Sequence, residues 1–146
     1  MLELLSHTRA FFLHNYIYIY IYGTDLVQNF REFANVMFSG DNSGRLLKFD
    51  PRNNEVTVLL HNLMFPNGVA LSKNGDFLLV AETTNSRILR YWLEPSSKLG
   101  KVEVFANLPG RPDIIKRNQN GDFWVPAYSE KGGLFNWILS RPRLGK

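Results

Sequence analysis

An internal repeat constrains this chain more than any other feature. Residues 44–50, Gly-Arg-Leu-Leu-Lys-Phe-Asp, resemble residues 86–92, Ser-Arg-Ile-Leu-Arg-Tyr-Trp, at an offset of 42. Asn74-Gly75-Asp76-Phe77 recurs as Asn120-Gly121-Asp122-Phe123, and Pro66-Asn67 matches Pro112-Asp113, both at an offset of 46. Asn62-Leu63 matches Asn107-Leu108 at 45, and a longer turn between Glu94 and Lys101 explains the drift. Several ordered matches in one register set a structural unit of 42–46 residues.

Each unit reads as four short strands. Residues 67–72 form the first, after a proline that can only begin a strand. The Asn74-Gly75 turn joins it to residues 76–82, since Asn-Gly suits a tight hairpin. Residues 87–93 alternate as a pleated strand does, and residues 101–106 follow. The next unit begins at 112–117, turns at Asn120-Gly121 and continues through 122–127. Residues 45–50 and 55–60 supply the last two strands of an earlier unit. A short helix fits residues 26–38, where Phe30, Phe33 and Phe38 equally suit packing on a sheet.

Four strands per unit at this period specify a β-propeller blade. Solenoids with periods in the forties are helical, and an immunoglobulin-like sandwich does not repeat internally. The expected fold is therefore all-β, a partial propeller of about two and a half blades. A propeller needs at least four blades to close. The expectation is thus a piece of a larger propeller, completed by missing blades or by self-association.

Composition narrows the chemistry. Among 146 residues there is no cysteine, which excludes a disulfide scaffold, a CxxC redox centre and a thiolate zinc site. The net charge of +4 is uneven: residues 1–110 hold ten basic and ten acidic residues, and residues 111–146 hold seven and three. No basic run or basic-aromatic array accompanies the excess, so no nucleic-acid partner is expected.

The N-terminus stands apart. The apolar stretch Ala10 to Tyr22 is 13 residues, short of the roughly 20 needed to span a bilayer, and no signal-peptide cleavage site follows it. Residues 16–22 alternate Tyr and Ile without any charge. An alternating T–A repeat in DNA encodes that pattern, so residues 1–22 are expected to be an irregular low-complexity segment ahead of a domain at 23–146. The alternative is a genuine buried strand.

Residues 40–146 resemble the plant strictosidine synthase-like proteins, which are six-bladed propellers related to the animal adipocyte plasma membrane-associated protein. The likeness rests on Gly40-Asp41-Asn42-Ser43-Gly44-Arg45-Leu46-Leu47-Lys48-Phe49-Asp50-Pro51, on Phe65-Pro66-Asn67-Gly68-Val69-Ala70-Leu71-Ser72, on Val80-Ala81-Glu82-Thr83-Thr84-Asn85-Ser86-Arg87-Ile88-Leu89-Arg90-Tyr91-Trp92, and on Gly121-Asp122-Phe123-Trp124-Val125. It implies either an amine–aldehyde condensing enzyme or a hydrolase acting on an ester or lactone, with a small-molecule substrate and a vacuolar or secretory location. Condensation needs a general base, usually a carboxylate with a raised pKa. The family's base is a glutamate in a later blade, and no position here matches its surroundings. No catalytic or cofactor-binding residue is therefore assigned. Glu82 is expected to serve neighbouring loop amides instead.

Related paraoxonase and gluconolactonase propellers hold a divalent cation on the propeller axis with Asn, Asp and Glu oxygens. By that resemblance Asn67 and Asp113, 46 residues apart and each after a proline, are the candidate metal ligands, with calcium the expected cation in the intact fold. Calcium takes six to eight oxygen ligands. Ile114 stands where the related motif has an oxygen-bearing asparagine. The opposing expectation is a binding propeller with a vestigial axis. His61 is expected in a surface turn, Asp41-Asn42-Ser43-Gly44 is expected to be a turn, and Trp92, Trp124 and Trp137 are expected to pack between sheets.

Overall fold

The computed structural model describes residues 8–13, 17–22, 39–93 and 97–130. They are built almost wholly from strands. The first sheet contains β1 (Thr8–Leu13), β2 (Ile17–Tyr22), β3 (Gly44–Asp50) and β4 (Glu55–Leu63), paired in that order. The second contains β5 (Pro66–Leu71), β6 (Phe77–Glu82), β7 (Arg87–Trp92) and β8 (Val102–Asn107), also in sequence order. All pairings within them are antiparallel. A third unit begins with β9 (Gly110–Pro112), β10 (Lys116–Arg117), β11 (Phe123–Trp124) and β12 (Ala127–Glu130), where β9 pairs β12 and β10 pairs β11. This is the expected sequence of blades, two of four strands and part of a third.

The N-terminal expectation needs correction. Residues 8–13 and 17–22 are not irregular, because they form β1 and β2. The Tyr-Ile segment pairs in unbroken register with β3, from Tyr18 opposite Phe49 to Tyr22 opposite Arg45. The physical reason is twofold. Tyr and Ile both favour strands, and β3 would otherwise present an unpaired row of backbone groups on that side. The possible helix at 26–38 lies outside the described residues, as does Trp137.

The second sheet shows why its strands read as they do. On β6, Leu78 and Val80 join a cluster with Leu46, Leu63, Val69, Leu89 and Tyr91, which ties the sheet to the first blade. Leu79 and Ala81 point the other way and join Ile88 and Ile115, flanked by Phe77, Phe123 and Val125, which ties it to the third. A strand buried on both faces needs an almost unbroken apolar run, and Phe77-Leu78-Leu79-Val80-Ala81 supplies it. Each such side chain contributes about 1.5–3 kcal/mol on burial. The hairpin between β5 and β6 turns at Gly75, whose φ of +78° lies in the left-handed region that glycine enters freely. Gly121 repeats the device at φ +103°.

Candidate functional site

The loops entering β5 and β9 and the turn joining β6 to β7 lie together at one end of the sheets. Backbone bonds establish this: Thr83 N–H donates to Phe65 O at 3.1 Å, and Leu108 N–H donates to Ser86 O at 2.9 Å. The two candidate ligands sit there. Asn67 is buried at 4% exposure, and Asp113 is half-buried.

Asn67 and Gly68 occupy an irregularity in the ladder. Pro66 opposes Glu82 while Val69 opposes Val80, so β5 carries one residue more than its partner. A bulge of this kind re-aims side chains and bends the strand. Gly68 then meets the third unit edge-on. A Cβ at Gly68 would lie 2.6 Å from Ile115 N, 2.7 Å from Ile114 Cα and 2.8 Å from Asp113 O. All three are backbone atoms. The structure thus sets Gly68, the residue after Asn67, close against the Asp113–Ile115 backbone.

The expected continuous strand over 112–117 is instead split into β9 and β10, with Asp113–Ile115 between them outside the ladder. The split falls where Gly68 packs. Asp113 N–H donates to Pro126 O at 3.3 Å, and Ile115 turns its side chain into the core beside Leu79, Ala81 and Ile88. Ile114 offers no side-chain oxygen. An amide oxygen and a carboxylate suit a hard cation in kind, though two side chains fall short of its usual ligand number. Among the described residues no group of three or more His, Asp or Glu side chains is placed to hold a metal.

Glu82 behaves as the sequence suggested. It is 1% exposed at the end of β6. Its Oε1 accepts the Met64 N–H at 2.8 Å, and its Oε2 is ion-paired with Arg87 Nε. Both oxygens are thus held by neighbouring groups of the chain. His61 is exposed, but it lies in β4 and not in a turn. It sits at a bulge where Leu60 opposes Leu46 and Leu63 opposes Gly44, and it lines a cleft of about 420 Å³ with Glu82, Arg87 and Glu103. Asp41 does form a turn, with its Oδ1 accepting the Ser43 N–H at 2.8 Å. Trp92 packs edge-on to Phe77 at 5.4 Å and donates its Nε1–H to Glu103 Oε1 at 3.1 Å. Trp124 departs from expectation: it is 69% exposed and does not pack between sheets, because it alternates with Phe123, which takes the inward face.

Sequence reasoning missed the backbone of Phe65, whose φ is +52°. A bulky residue in the left-handed region is an outlier. The Phe-Pro pair carries no local signal for it.

Comparison with known proteins bears on the family and the fold. The family profile described as strictosidine synthase matches residues 16–96, a span that includes the Tyr-Ile strand. Strictosidine synthase-like 10 of Arabidopsis thaliana is 49% identical over 114 residues, covering 77% of this chain and 30% of that protein. Strictosidine synthase-like 2 of the same plant is 45% identical over 133 residues, covering 88% and 35%. Strictosidine synthase of Catharanthus roseus is 42% identical over 107 residues, covering 73% and 30%. The chain therefore spans about a third of the length of these relatives. Among solved structures, the calcium-binding protein regucalcin from Agrobacterium tumefaciens superposes with a TM-score of 0.61 at 19% identity, covering 88% of this chain and 41% of that one. A gluconolactonase from Xanthomonas campestris gives 0.59 at 14%, covering 81% and 40%. Such distant likeness speaks to the fold alone, and the fold is the β-propeller. With the blade repeat, the strand order and the profile match in agreement, this chain belongs to the strictosidine synthase family.

Proposed function

We propose that this chain forms part of the central site of a six-bladed propeller that acts as a hydrolase on an ester or lactone. In this reading Asn67 and Asp113 are two oxygen ligands of a divalent cation of the calcium class. The observation that carries it is the backbone contact between Gly68 and Asp113–Ile115, which sets the two strand starts side by side at one end of adjacent blades. The calcium binding named for regucalcin and the lactonase named for the Xanthomonas protein support the choice of cation and substrate class. Asn67 would contribute a neutral oxygen from a buried position, and Asp113 would contribute the charge. A cation so bound supplies Lewis-acid polarisation of a carbonyl and a more acidic water. The remaining ligands and the acid–base groups would come from other blades, so residues 1–146 alone are expected to lack catalysis. A vacuolar or secretory location accompanies this reading. Among the described residues no helix is long and apolar enough to cross a membrane.

Calcium titration of the closed propeller that contains these residues, followed by amide resonances, tests the proposal. The expected result is saturable shifts confined to Asn67–Gly68 and Asp113–Ile115 at about millimolar calcium, the range of weak oxygen sites. Asn67→Leu should abolish them. Shifts elsewhere, or none, would overturn the assignment. Ile114 favours a second reading, a non-catalytic binding propeller with a vestigial axis, and an unresponsive pair would select it. The amine–aldehyde condensing reading gains no support from Glu82, which is 1% exposed and holds the Met64 amide and Arg87.

A further inference from the structure

We infer that Glu82 and Thr83 are positioning residues for the axial pair, because they bond to the chain immediately before both Asn67 and Asp113. Three contacts carry the inference. Glu82 Oε1 accepts the Met64 N–H at 2.8 Å, three residues ahead of Asn67. Thr83 N–H donates to the carbonyl of Phe65, two residues ahead of Asn67, at 3.1 Å. Thr83 Oγ1–H donates to the carbonyl of Pro112, the residue before Asp113, at 2.7 Å.

Burial gives these bonds their force. Thr83 is 0% exposed and Glu82 1% exposed, so neither is replaced by water without cost. The hold on Phe65 has a purpose. Its left-handed backbone is the kind of local strain that persists only where surroundings fix it, and such strain gathers at functional sites. Release of the Phe65 carbonyl would let the residue relax toward the extended region, and Pro66 and Asn67 would swing with it. Arg87 keeps Glu82 oriented through the ion pair on its other oxygen. The turn is itself closed by Ser86 N–H donating to Thr83 O at 3.1 Å. One hairpin turn of the second blade therefore sets the spacing between a ligand candidate on its own first strand and another on the next blade. The link to a cation rests on the function proposed above. The clamp itself does not.

Amide hydrogen exchange and amide resonances of the full chain, recorded without metal, test the clamp. Thr83→Val removes the hydroxyl bond to Pro112 and keeps the side chain's bulk. It should accelerate exchange of the Asp113 amide about tenfold, the scale of one buried hydrogen bond. The Val80 and Leu89 amides of the core should not change. Thr83→Ser should restore Asp113. Glu82→Gln keeps the shape but loses the pairing charge, and it should act selectively on the Met64 and Asn67 resonances. If Thr83→Val prevents folding, Glu82→Gln decides alone: a selective response supports the clamp and a uniform one overturns it. Unmoved Asp113 exchange in folded Thr83→Val also overturns it. A clamp that responds as stated in a protein whose Asn67 and Asp113 ignore calcium would keep this inference and remove the cation reading.

Discussion

Substitution of Gly68 by alanine probes the contact on which the site depends. The added Cβ would stand 2.6 Å from Ile115 N, whereas ordinary contact for a Cβ begins at 3.4 Å. The backbones must therefore separate by about 0.8 Å, the gap between those two distances. No flexible side chain is available to give way, because the nearest atoms all belong to the Asp113–Ile115 backbone. Overpacking of this kind costs about 1–3 kcal/mol. In a chain of 146 residues that lowers the melting temperature by roughly 3–12 °C. Gly75→Ala is the control. It meets nothing within 4 Å, and its φ of +78° isolates the conformational cost, about 1–2 kcal/mol. The two variants separate by where they act. Gly68→Ala should move the amide resonances of Asp113, Ile114 and Ile115, and Gly75→Ala should leave them in place. A Gly68→Ala protein that melts with the wild type and leaves those resonances unmoved would refute the close approach.

Two further outcomes follow from other parts of the chain. Asp50 accepts from Arg52 through its side chain (Nε to Oδ1, 2.9 Å) and its backbone N–H (3.0 Å), and these bonds hold its carboxyl at about 2, below its ordinary 3.8. A depressed carboxylate contributes stability that is present above the unfolded pKa and lost as pH falls through the folded one, so this contribution should fade between about pH 4 and pH 2. Arg52 is exposed and Asp50 half-buried, so salt screens the pair in part, and a carbon-detected titration of Asp50 should find the low midpoint and see Arg52→Ala raise it. Separately, Val56 and Val58 on β4 are 48% and 36% exposed and Trp124 is 69% exposed, so the chain should self-associate through apolar surface at micromolar concentration. Size exclusion with light scattering should show species above 16.9 kDa, and Val56→Lys with Trp124→Ser should shift them toward monomer; a wild-type monomer throughout would refute this.

Much of the fold was legible because its signals are local. Pro66, the Asn74-Gly75 turn and the alternation through Arg87–Trp92 each fix a strand or turn within a few residues, and the repeat copies them into the next blade. The Tyr-Ile segment was not legible in this way. It lacks polar alternation, and what makes it a strand is the edge of β3, more than twenty residues away. The break at Asp113–Ile115 lies against Gly68, 45 residues before Asp113 in sequence, a contact that no window on the third unit could show. Trp124 read as core, and only the neighbouring blade decides that Phe123 takes the inward face instead. For the site, recurrence at the blade period marked Asn67 and Asp113 as equivalent strand starts in successive blades. The bulge that carries Asn67, the left-handed Phe65 and the Thr83 hydroxyl bond depend on packing between blades and leave no mark in the local sequence.

The most direct measurement is a nuclear Overhauser contact between the α-protons of Gly68 and Ile114 in the full chain. The blade arrangement places the Gly68 Cβ position 2.7 Å from Ile114 Cα, so a strong cross-peak is expected. A chain whose β5–β8 cross-strand contacts are intact, with Gly68 and Ile114 showing no contact, would contradict the side-by-side strand starts and with them the axial site.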